Sequence, residues 1–279
     1  MANITYPPPR PLSVGEVLDL TFRIFGSTLV KCLLFAILAI LASQASNIYV
    51  VLTRGGSVAQ ALLNQSHDPV FWVIYVVGAL LAAVLYAAIF LRQHRMITAG
   101  AAGSEFAAAT RRLPALVLLS IVSGLIFVVP VFAISAGVGA GGGSLMWIGL
   151  LLLIPACYIL VQLSASWAAL LIGGAGPFEA LARSWRLTYG SFWRLTLIYT
   201  VAIIIIIVAY FLLMLIAGAI AAVFGRGDVV VFMAAYTVVI VAMGALLAPF
   251  FTALQLAVFG DLSVRREGAD LAQRISASA

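Results

Sequence analysis

The chain has 279 residues and a formal net charge of +6; 65% of its residues are hydrophobic and only 9% are charged. A soluble domain carries roughly 25% charged residues because water must solvate its surface. This composition therefore excludes a water-soluble globular protein, and we expect an all-α integral membrane bundle with lipid as its solvent.

Six segments with few or no charges are each long enough to cross the hydrocarbon core of a bilayer, which requires roughly 20 apolar residues. In chain order they lie near residues 29–52, 70–91, 114–136, 146–172, 193–223 and 229–258. A glycine-rich stretch, 137–144, is typical of a turn between the third and fourth segments. We predict six transmembrane helices in a single membrane domain over residues 1–279, with a cytoplasmic tail over 261–279.

The basic residues indicate how the chain is oriented in the membrane. Of the 15 Lys and Arg residues, all except Arg54 and Arg226 fall on one side of the predicted topology. Loops rich in Lys and Arg stay in the cytoplasm, so both termini are expected there and the turn at 137–144 is expected outside. Because the positive charge is dispersed among short loops, it favours contact with lipid headgroups rather than with nucleic acid.

Three segments before the odd-numbered spans share one pattern of residues. They are Glu16–Ile24, Glu105–Leu113 and Glu179–Leu187. Each begins with Glu, has Thr or Ser five positions later, Arg seven positions later and Ile or Leu eight positions later. We predict a threefold internal repeat, in which an interfacial amphipathic helix leads into a two-span hairpin. The predicted repeat units lie near residues 13–92, 104–172 and 177–260.

The same three segments supply a candidate interface for lipid headgroups or for a partner protein. Its residues are Glu16, Arg23, Glu105, Arg112, Glu179, Arg183, Trp185 and Arg186. Glu near each start and Arg near each end complement the helix dipole, and Ser13 has the capping-box spacing to Glu16. In the alternative interpretation, these helices only anchor each hairpin at the membrane surface.

Polar residues within the predicted spans form a second candidate site. Gln44, Gln162 and Gln255 lie in the first, fourth and sixth spans, and Pro155 and Pro249 precede the last two at similar spacing. A proline frees a backbone carbonyl, which then needs another hydrogen-bond partner. One interpretation is a polar intramembrane groove for a hydrated solute or a lipid headgroup. The other is ordinary hydrogen bonding between helices.

The sequence contains no residues with the spacing of a catalytic or metal-binding site. The two histidines, His67 and His94, fall on opposite sides of the predicted topology, whereas a metal site needs three or four convergent ligands. None of the nine acidic residues lies in the middle of a predicted span, which argues against proton coupling. We therefore predict a protein that is not an enzyme and that has no catalytic residues, metal or cofactor.

Three motifs resemble a known family. The segments 11–19 (PLSVGEVLD), 176–194 (GPFEALARSWRLTYGSFWR) and 261–271 (DLSVRREGADL) are similar to the bacterial glycerophosphoryl diester phosphodiesterase membrane-domain family. The resemblance implies a polytopic protein of the bacterial cytoplasmic (inner) membrane, in a family whose members largely lack an assigned activity. No stretch of the sequence is polar enough for the phosphodiesterase domain itself. The segment at Glu105 departs from the pattern because it has no aromatic residue.

These observations favour a non-enzymatic membrane protein that acts as a scaffold or partner-binding component of the envelope. The alternative is a transporter or lipid-handling protein without proton coupling. Membrane lipids are the expected partners, other membrane proteins are a second class, and nucleic acid is not expected. The sequence leaves the oligomeric state open.

Overall fold

A computed structural model of the protein describes residues 5–54, 68–98, 100, 104–139, 143–225 and 229–278. Its helices are α1 (Val14–Arg54), α2 (Pro69–Thr98), α3 (Glu105–Arg111), α4 (Leu113–Gly139), α5 (Ser144–Gln162), α6 (Ser166–Gly173), α7 (Pro177–Thr188), α8 (Phe192–Gly225) and α9 (Val229–Ser278). These described ranges contain no β-strand, which confirms the predicted all-α fold.

Six helical stretches of the described residues are long and apolar enough to cross a membrane. They are Val14–Val50, Pro69–Thr98, Leu113–Gly139, Ser144–Gly173, Phe192–Ile220 and Val238–Arg266. Large apolar side chains stay exposed along them, and on α8 more than half of the surface of Ile204, Phe211 and Leu215 is uncovered. Such a surface suits acyl chains rather than water. The prediction of a multi-pass helical membrane protein with six spans is confirmed by length and composition.

The observed helices differ from the predicted ones at three places, one of which is a break in the fourth span between α5 and α6. Glu16–Ile24 was expected to be a separate interfacial helix, but it forms the first turns of α1. The hydroxyls of Ser27 and Thr28 donate to the Ile24 carbonyl at 2.9 and 2.8 Å, so these polar residues do not interrupt the helix. The tail predicted over 261–279 likewise continues α9 as far as Ser278. The threefold repeat and the amphipathic character of the three segments stay predictions.

Local signals set the helix ends. The capping box before α1 is confirmed, because the Ser13 N–H donates to the Glu16 carboxylate at 2.7 Å and the Glu16 N–H donates to the Ser13 hydroxyl at 3.3 Å. Two glycines in the left-handed region, Gly174 (φ 67°) and Gly190 (φ 75°), lie just outside the ends of α6 and α7. Pro177 occupies the first turn of α7, where its missing N–H has no cost.

Contacts divide the chain into two compact units, each built from segments that are distant in sequence. Unit 1 comprises Phe22–Leu113 and Ile203–Ala253. Unit 2 comprises Asn3–Thr21, Pro114–Ala202 and Leu254–Ala279. The longest helices therefore contribute residues to both units.

Small residues bring helices close together within each unit. In unit 1, a Cβ atom on Gly78 would lie 2.3 Å from the Ala42 carbonyl oxygen, so glycine is what allows α1 and α2 to touch there. In unit 2, a Cβ atom on Gly149 would lie 2.6 Å from the Ile134 backbone nitrogen in the hairpin of α4 and α5. Close packing of this kind is a main source of helix association in membranes, where burial of apolar surface contributes little.

Candidate functional site

The fourth span is interrupted between α5 and α6. The Ser166 N–H donates to the Leu163 carbonyl at 3.0 Å, instead of to the Gln162 carbonyl four residues back. The Gln162 carbonyl accepts from the hydroxyls of Ser184 (2.8 Å) and Thr188 (2.9 Å) on α7. A break at membrane depth is tolerated only where other groups satisfy the freed backbone. The buried hydroxyls of α7 therefore hold this interruption in place.

Four polar side chains lie about the interruption. The Ser164 hydroxyl lies beside the Tyr199 hydroxyl. Thr196 lies one turn before Tyr199 on α8, and so on the same face of that helix. Gln162 is 0% exposed, and its Nε2 donates to the Tyr158 hydroxyl at 3.0 Å. We refer to Gln162, Ser164, Thr196 and Tyr199 as the polar cluster.

Each member of the polar cluster has a buried oxygen with no hydrogen-bond partner among the described residues. These atoms are Gln162 Oε1, Ser164 Oγ, Thr196 Oγ1 and the Tyr199 hydroxyl, and Gln255 Oε1 on α9 is another in unit 2. Leaving a buried polar atom unsatisfied costs roughly 1–3 kcal/mol. Gln162 Oε1, Thr196 Oγ1 and Gln255 Oε1 are therefore available to a polar group that binds in unit 2.

The three glutamines of the predicted groove fall in different surroundings. Gln162 and Gln255 both belong to unit 2, where each has an unpartnered buried oxygen. Gln44 belongs to unit 1, and its Oε1 accepts from Asn47 Nδ2 at 2.6 Å on an exposed part of α1. A helical neighbour already satisfies this oxygen, so the half-buried Gln44 has a local partner.

A second buried amide, that of Gln93 in unit 1, has hydrogen-bond partners for both its nitrogen and its oxygen. Its Nε2 donates to Thr28 Oγ1 at 3.0 Å and to the Pro249 carbonyl at 2.9 Å. Its Oε1 accepts from Thr252 Oγ1 at 2.6 Å. Sequence reasoning singled out Pro249 but missed Gln93, which stands near the end of an apolar span beside His94. We refer to Gln93, Thr28, Thr252 and the Pro249 carbonyl as the Gln93 network.

An ionic junction joins distant parts of unit 2. Asp261 is 1% exposed, and its carboxylate accepts from Arg194 at 2.6 Å and from Arg265 at 3.1 Å. The Leu12 N–H donates to the same carboxylate at 2.7 Å, while the Leu12 carbonyl accepts from both arginines. Two charged donors and a backbone N–H compensate the burial of this carboxylate. We call this group the Asp261 junction.

The segment before α1 lies against α9 near Leu256 and Gly260. The Tyr6 hydroxyl donates to the Leu256 carbonyl at 3.2 Å, and burial raises the pKa of this phenol. A Cβ atom on Gly260 would lie 2.8 Å from the Tyr6 ring and 3.2 Å from the Pro8 ring. Glycine at 260 therefore leaves room for the N-terminal segment to reach the Asp261 junction.

The predicted interface residues are divided between the two units. Arg23, Glu105 and Arg112 belong to unit 1, where Glu105 forms an ion pair with Arg95. Glu16 belongs to unit 2 and pairs with Arg10 at 2.5 Å.

The remaining four predicted interface residues lie on α7 in unit 2. The Arg183 guanidinium lies 5.6 Å from the centre of the Phe259 ring. Trp185 is 38% exposed and contacts the Tyr158 ring edge-on, while Glu179 and Arg186 are exposed. The structure thus brings four of the eight residues onto one helix and does not bring all eight together in either unit.

Neither metal-ligand geometry nor similarity to known proteins assigns a function to the chain. Among the described residues, no group of three or more His, Cys, Asp or Glu side chains could hold a metal ion, and His67 lies outside those residues. In comparisons with protein-family models, with curated proteins and with solved structures, nothing matches the chain.

Proposed function

We propose that the protein is a non-enzymatic transport or lipid-handling protein that admits a polar group to the polar cluster of unit 2. The observation that carries the proposal is the set of buried, unpartnered oxygens in the polar cluster and at Gln255. Hydrocarbon offers these atoms no hydrogen-bond partner. A lipid headgroup, a solute or a file of water molecules would satisfy them.

The side chains of the polar cluster limit what it binds. They are one amide and three hydroxyls, so the cluster holds no carboxylate and no basic group. Proton-coupled transporters keep ionisable carboxylates or histidines at membrane depth, and this cluster has none of them. The proposed function is therefore without proton coupling. An interrupted helix beside a polar site is a frequent arrangement in transporters, which supports the proposal.

A reconstitution experiment tests this function. Purified protein in liposomes is assayed for scrambling of fluorescent phospholipids and, in a second arm, for glycerol flux. We expect activity above empty liposomes, and we expect Gln162→Leu and Gln255→Leu to reduce it at least severalfold. Gln44→Leu is the matched control and should retain activity, because the side-chain oxygen of that glutamine already has a local partner in Asn47. The proposal would be contradicted if the wild-type protein showed neither phospholipid scrambling nor glycerol flux.

We further propose that the protein resides in the bacterial cytoplasmic membrane with both termini in the cytoplasm. The bond between Leu12 and Asp261, which are close to the two chain ends, supports a common side for both termini. The distribution of the 15 basic residues supports the cytoplasm as that side. Green fluorescent protein should fluoresce when fused to either end. Activity of an alkaline phosphatase fused to either end would contradict the orientation.

We also propose kinship with the glycerophosphoryl diester phosphodiesterase membrane-domain family that the three motifs resemble. Each motif contributes to the Asp261 junction, through Leu12, Arg194 and Asp261 respectively. This shared contact supports the view that the motifs act together. Family members should therefore keep an acid at 261 together with an Arg at 194. Independent variation of the two positions would count against the kinship.

A scaffold is the second candidate function, and the exposed side chains of α7 favour it. Phe178 is 70% exposed, and Glu179 and Arg186 are exposed on the same short helix. Such a face is able to contact another membrane protein. Affinity purification in mild detergent should then recover one partner in a fixed ratio, and Phe178→Ser should release it. Recovery of the chain with lipid alone would exclude this candidate.

A further inference from the structure

The C-terminal end of α7 carries a surface that differs chemically from the polar cluster, and we propose that it binds the phosphate of an anionic phospholipid. We call this surface the α7 site; it consists of Arg186, Tyr189, Trp193 and Arg266. All four residues belong to unit 2 and are exposed. The proposal does not require the polar cluster to conduct anything, so it stands or falls separately from the proposed function.

Two arginines that are 80 positions apart in the sequence lie at the same end of α7. Arg266 on α9 donates through Nη2 to the Tyr189 carbonyl, at the residue that caps α7. Arg186 precedes Tyr189 by three positions, so the two side chains are neighbours on one face of the helix. Arg186 and Arg266 are both exposed, and the contact at Tyr189 brings their two positions to the same end of α7.

The backbone after α7 makes this approach possible. Gly190 has φ 75°, a backbone conformation that residues other than glycine rarely adopt. A Cβ atom at this position would also lie 3.2 Å from Arg266 Nη2. The glycine therefore turns the chain sharply and leaves room for the Arg266 guanidinium against the turn.

Exposed aromatic side chains close in sequence to Arg186 support a position of this site at the level of lipid headgroups. Trp193 is 82% exposed, Tyr189 is 63% exposed and Trp185 is 38% exposed. Trp and Tyr side chains with such exposure concentrate at membrane–water interfaces, where the ring contacts acyl chains and the polar edge contacts headgroups. The rings give the α7 site an apolar border, which suits a lipid rather than a free phosphate ion.

The neighbouring arginines already have partners, so they do not compete for the ligand. Arg194 and Arg265 are bound to Asp261 and to the Leu12 carbonyl. Arg183 lies over the Phe259 ring. Arg186 and Arg266 are the basic residues of this region that point outward, and a guanidinium binds phosphate oxygens in a bidentate manner. Charge complementarity therefore favours an anionic phospholipid over a zwitterionic one.

Native mass spectrometry of the full chain tests this site. Delipidated protein is given equal amounts of phosphatidylglycerol and phosphatidylcholine with the same acyl chains. We expect the wild type to retain mainly phosphatidylglycerol. Arg186→Gln and Arg266→Gln should each lower that preference about fivefold, the equivalent of about 1 kcal/mol for each basic residue at an anionic surface. Arg186→Lys should keep part of the preference, because it keeps the charge but loses the bidentate geometry.

Arg10→Gln is the matched control, because Arg10 is exposed and its guanidinium is held by Glu16. It should leave the lipid preference unchanged. Arg186 is exposed, so Arg186→Gln should fold normally and remains informative even if the Arg266 variant does not fold. Equal retention of the two lipids by wild type overturns the proposal. So does an unchanged preference in Arg186→Gln, an equal loss in Arg10→Gln, or displacement of the lipid by excess inorganic phosphate.

Discussion

Each unit buries a glutamine side chain, but the two units differ in whether the amide is fully hydrogen-bonded. In unit 1, Gln93 is 0% exposed and makes three bonds, to Thr28, Thr252 and the Pro249 carbonyl. In unit 2, Gln162 is also 0% exposed, but its Oε1 has no partner. A satisfied amide at membrane depth holds helices together, whereas an unsatisfied one costs free energy that a ligand recovers. The Gln93 network is therefore satisfied within the protein, whereas the polar cluster is the site where we propose that a ligand binds.

The Asp261 junction joins three segments of unit 2 that are distant in sequence. These segments, represented by Leu12, Arg194 and Asp261, meet there through short hydrogen bonds. Removing one partner of a buried ion pair costs more than removing one neutral hydrogen bond. The largest stability effects in unit 2 should therefore come from the junction and not from the polar cluster.

The largest effect is expected for Asp261→Asn. This change keeps an acceptor for the Leu12 N–H but leaves Arg194 and Arg265 opposite a neutral group. Breaking a buried ion pair costs roughly 3–5 kcal/mol, and about 3 kcal/mol is expected here because both arginines are partly exposed. The thermal unfolding midpoint in detergent measures this loss. The control Glu179→Gln, at an exposed acid, should leave the midpoint unchanged. Equal midpoints for the two variants would show that the junction does not stabilise the protein.

The next effect is expected for Gln93→Leu in unit 1. The change removes three hydrogen bonds of roughly 0.5–1.5 kcal/mol each. Thr28 and Thr252 keep their own intrahelical acceptors, so the expected loss is about 2 kcal/mol. Unfolding by heat or denaturant measures it. A variant as stable as wild type would remove the distinction between the two units.

A small stability effect and a large functional effect are expected for Gln162→Leu. The change removes one bond to the Tyr158 hydroxyl but also removes an unpartnered oxygen, so the two terms oppose each other. We expect the stability to change by less than about 1 kcal/mol while flux falls severalfold. Unfolding and flux are measured on the same preparation. A loss of stability as large as that of Gln93→Leu would mean that Gln162 is structural.

The smallest effect is expected for Gln44→Leu, the locally paired counterpart of these two glutamines. Its only described bond is to Asn47, three residues away on the same helix, and this bond is exposed. Loss of such a bond should change stability by less than about 0.5 kcal/mol. Unfolding midpoint and flux should both match wild type. A clear loss of flux would mean that Gln44 in unit 1 also takes part in the function.

Local features of this fold could be predicted from the sequence. A span needs only a sufficient run of apolar residues, so six of them were found from composition alone. The capping box of Ser13 and Glu16 was also found, because both residues lie within one turn. In both cases the physical cause acts over a few neighbouring residues.

Distant pairings could not be predicted, because nothing in one sequence specifies which helices meet. Gln93 and Thr252 are 159 positions apart, and Leu12 and Asp261 are 249 positions apart. The sequence could identify Gln162 as a polar residue within a span. Whether its oxygen is satisfied depends on α7 and α8, which tertiary packing alone brings beside it. For the same reason, Gln44 was grouped with Gln162 and Gln255 although its surroundings are different.

Thiol accessibility tests the contrast between the two units most directly. Cys32 and Cys157 are replaced by Ala, and a single cysteine is introduced at Ser164 in the polar cluster or at Thr252 in the Gln93 network. Each protein, in membranes, is treated with a small hydrophilic methanethiosulfonate reagent, which reaches only thiols in contact with water. We expect rapid labelling of Ser164→Cys and none of Thr252→Cys. Equal protection of both positions would contradict the account, because the polar cluster would then be as dry as the network in unit 1.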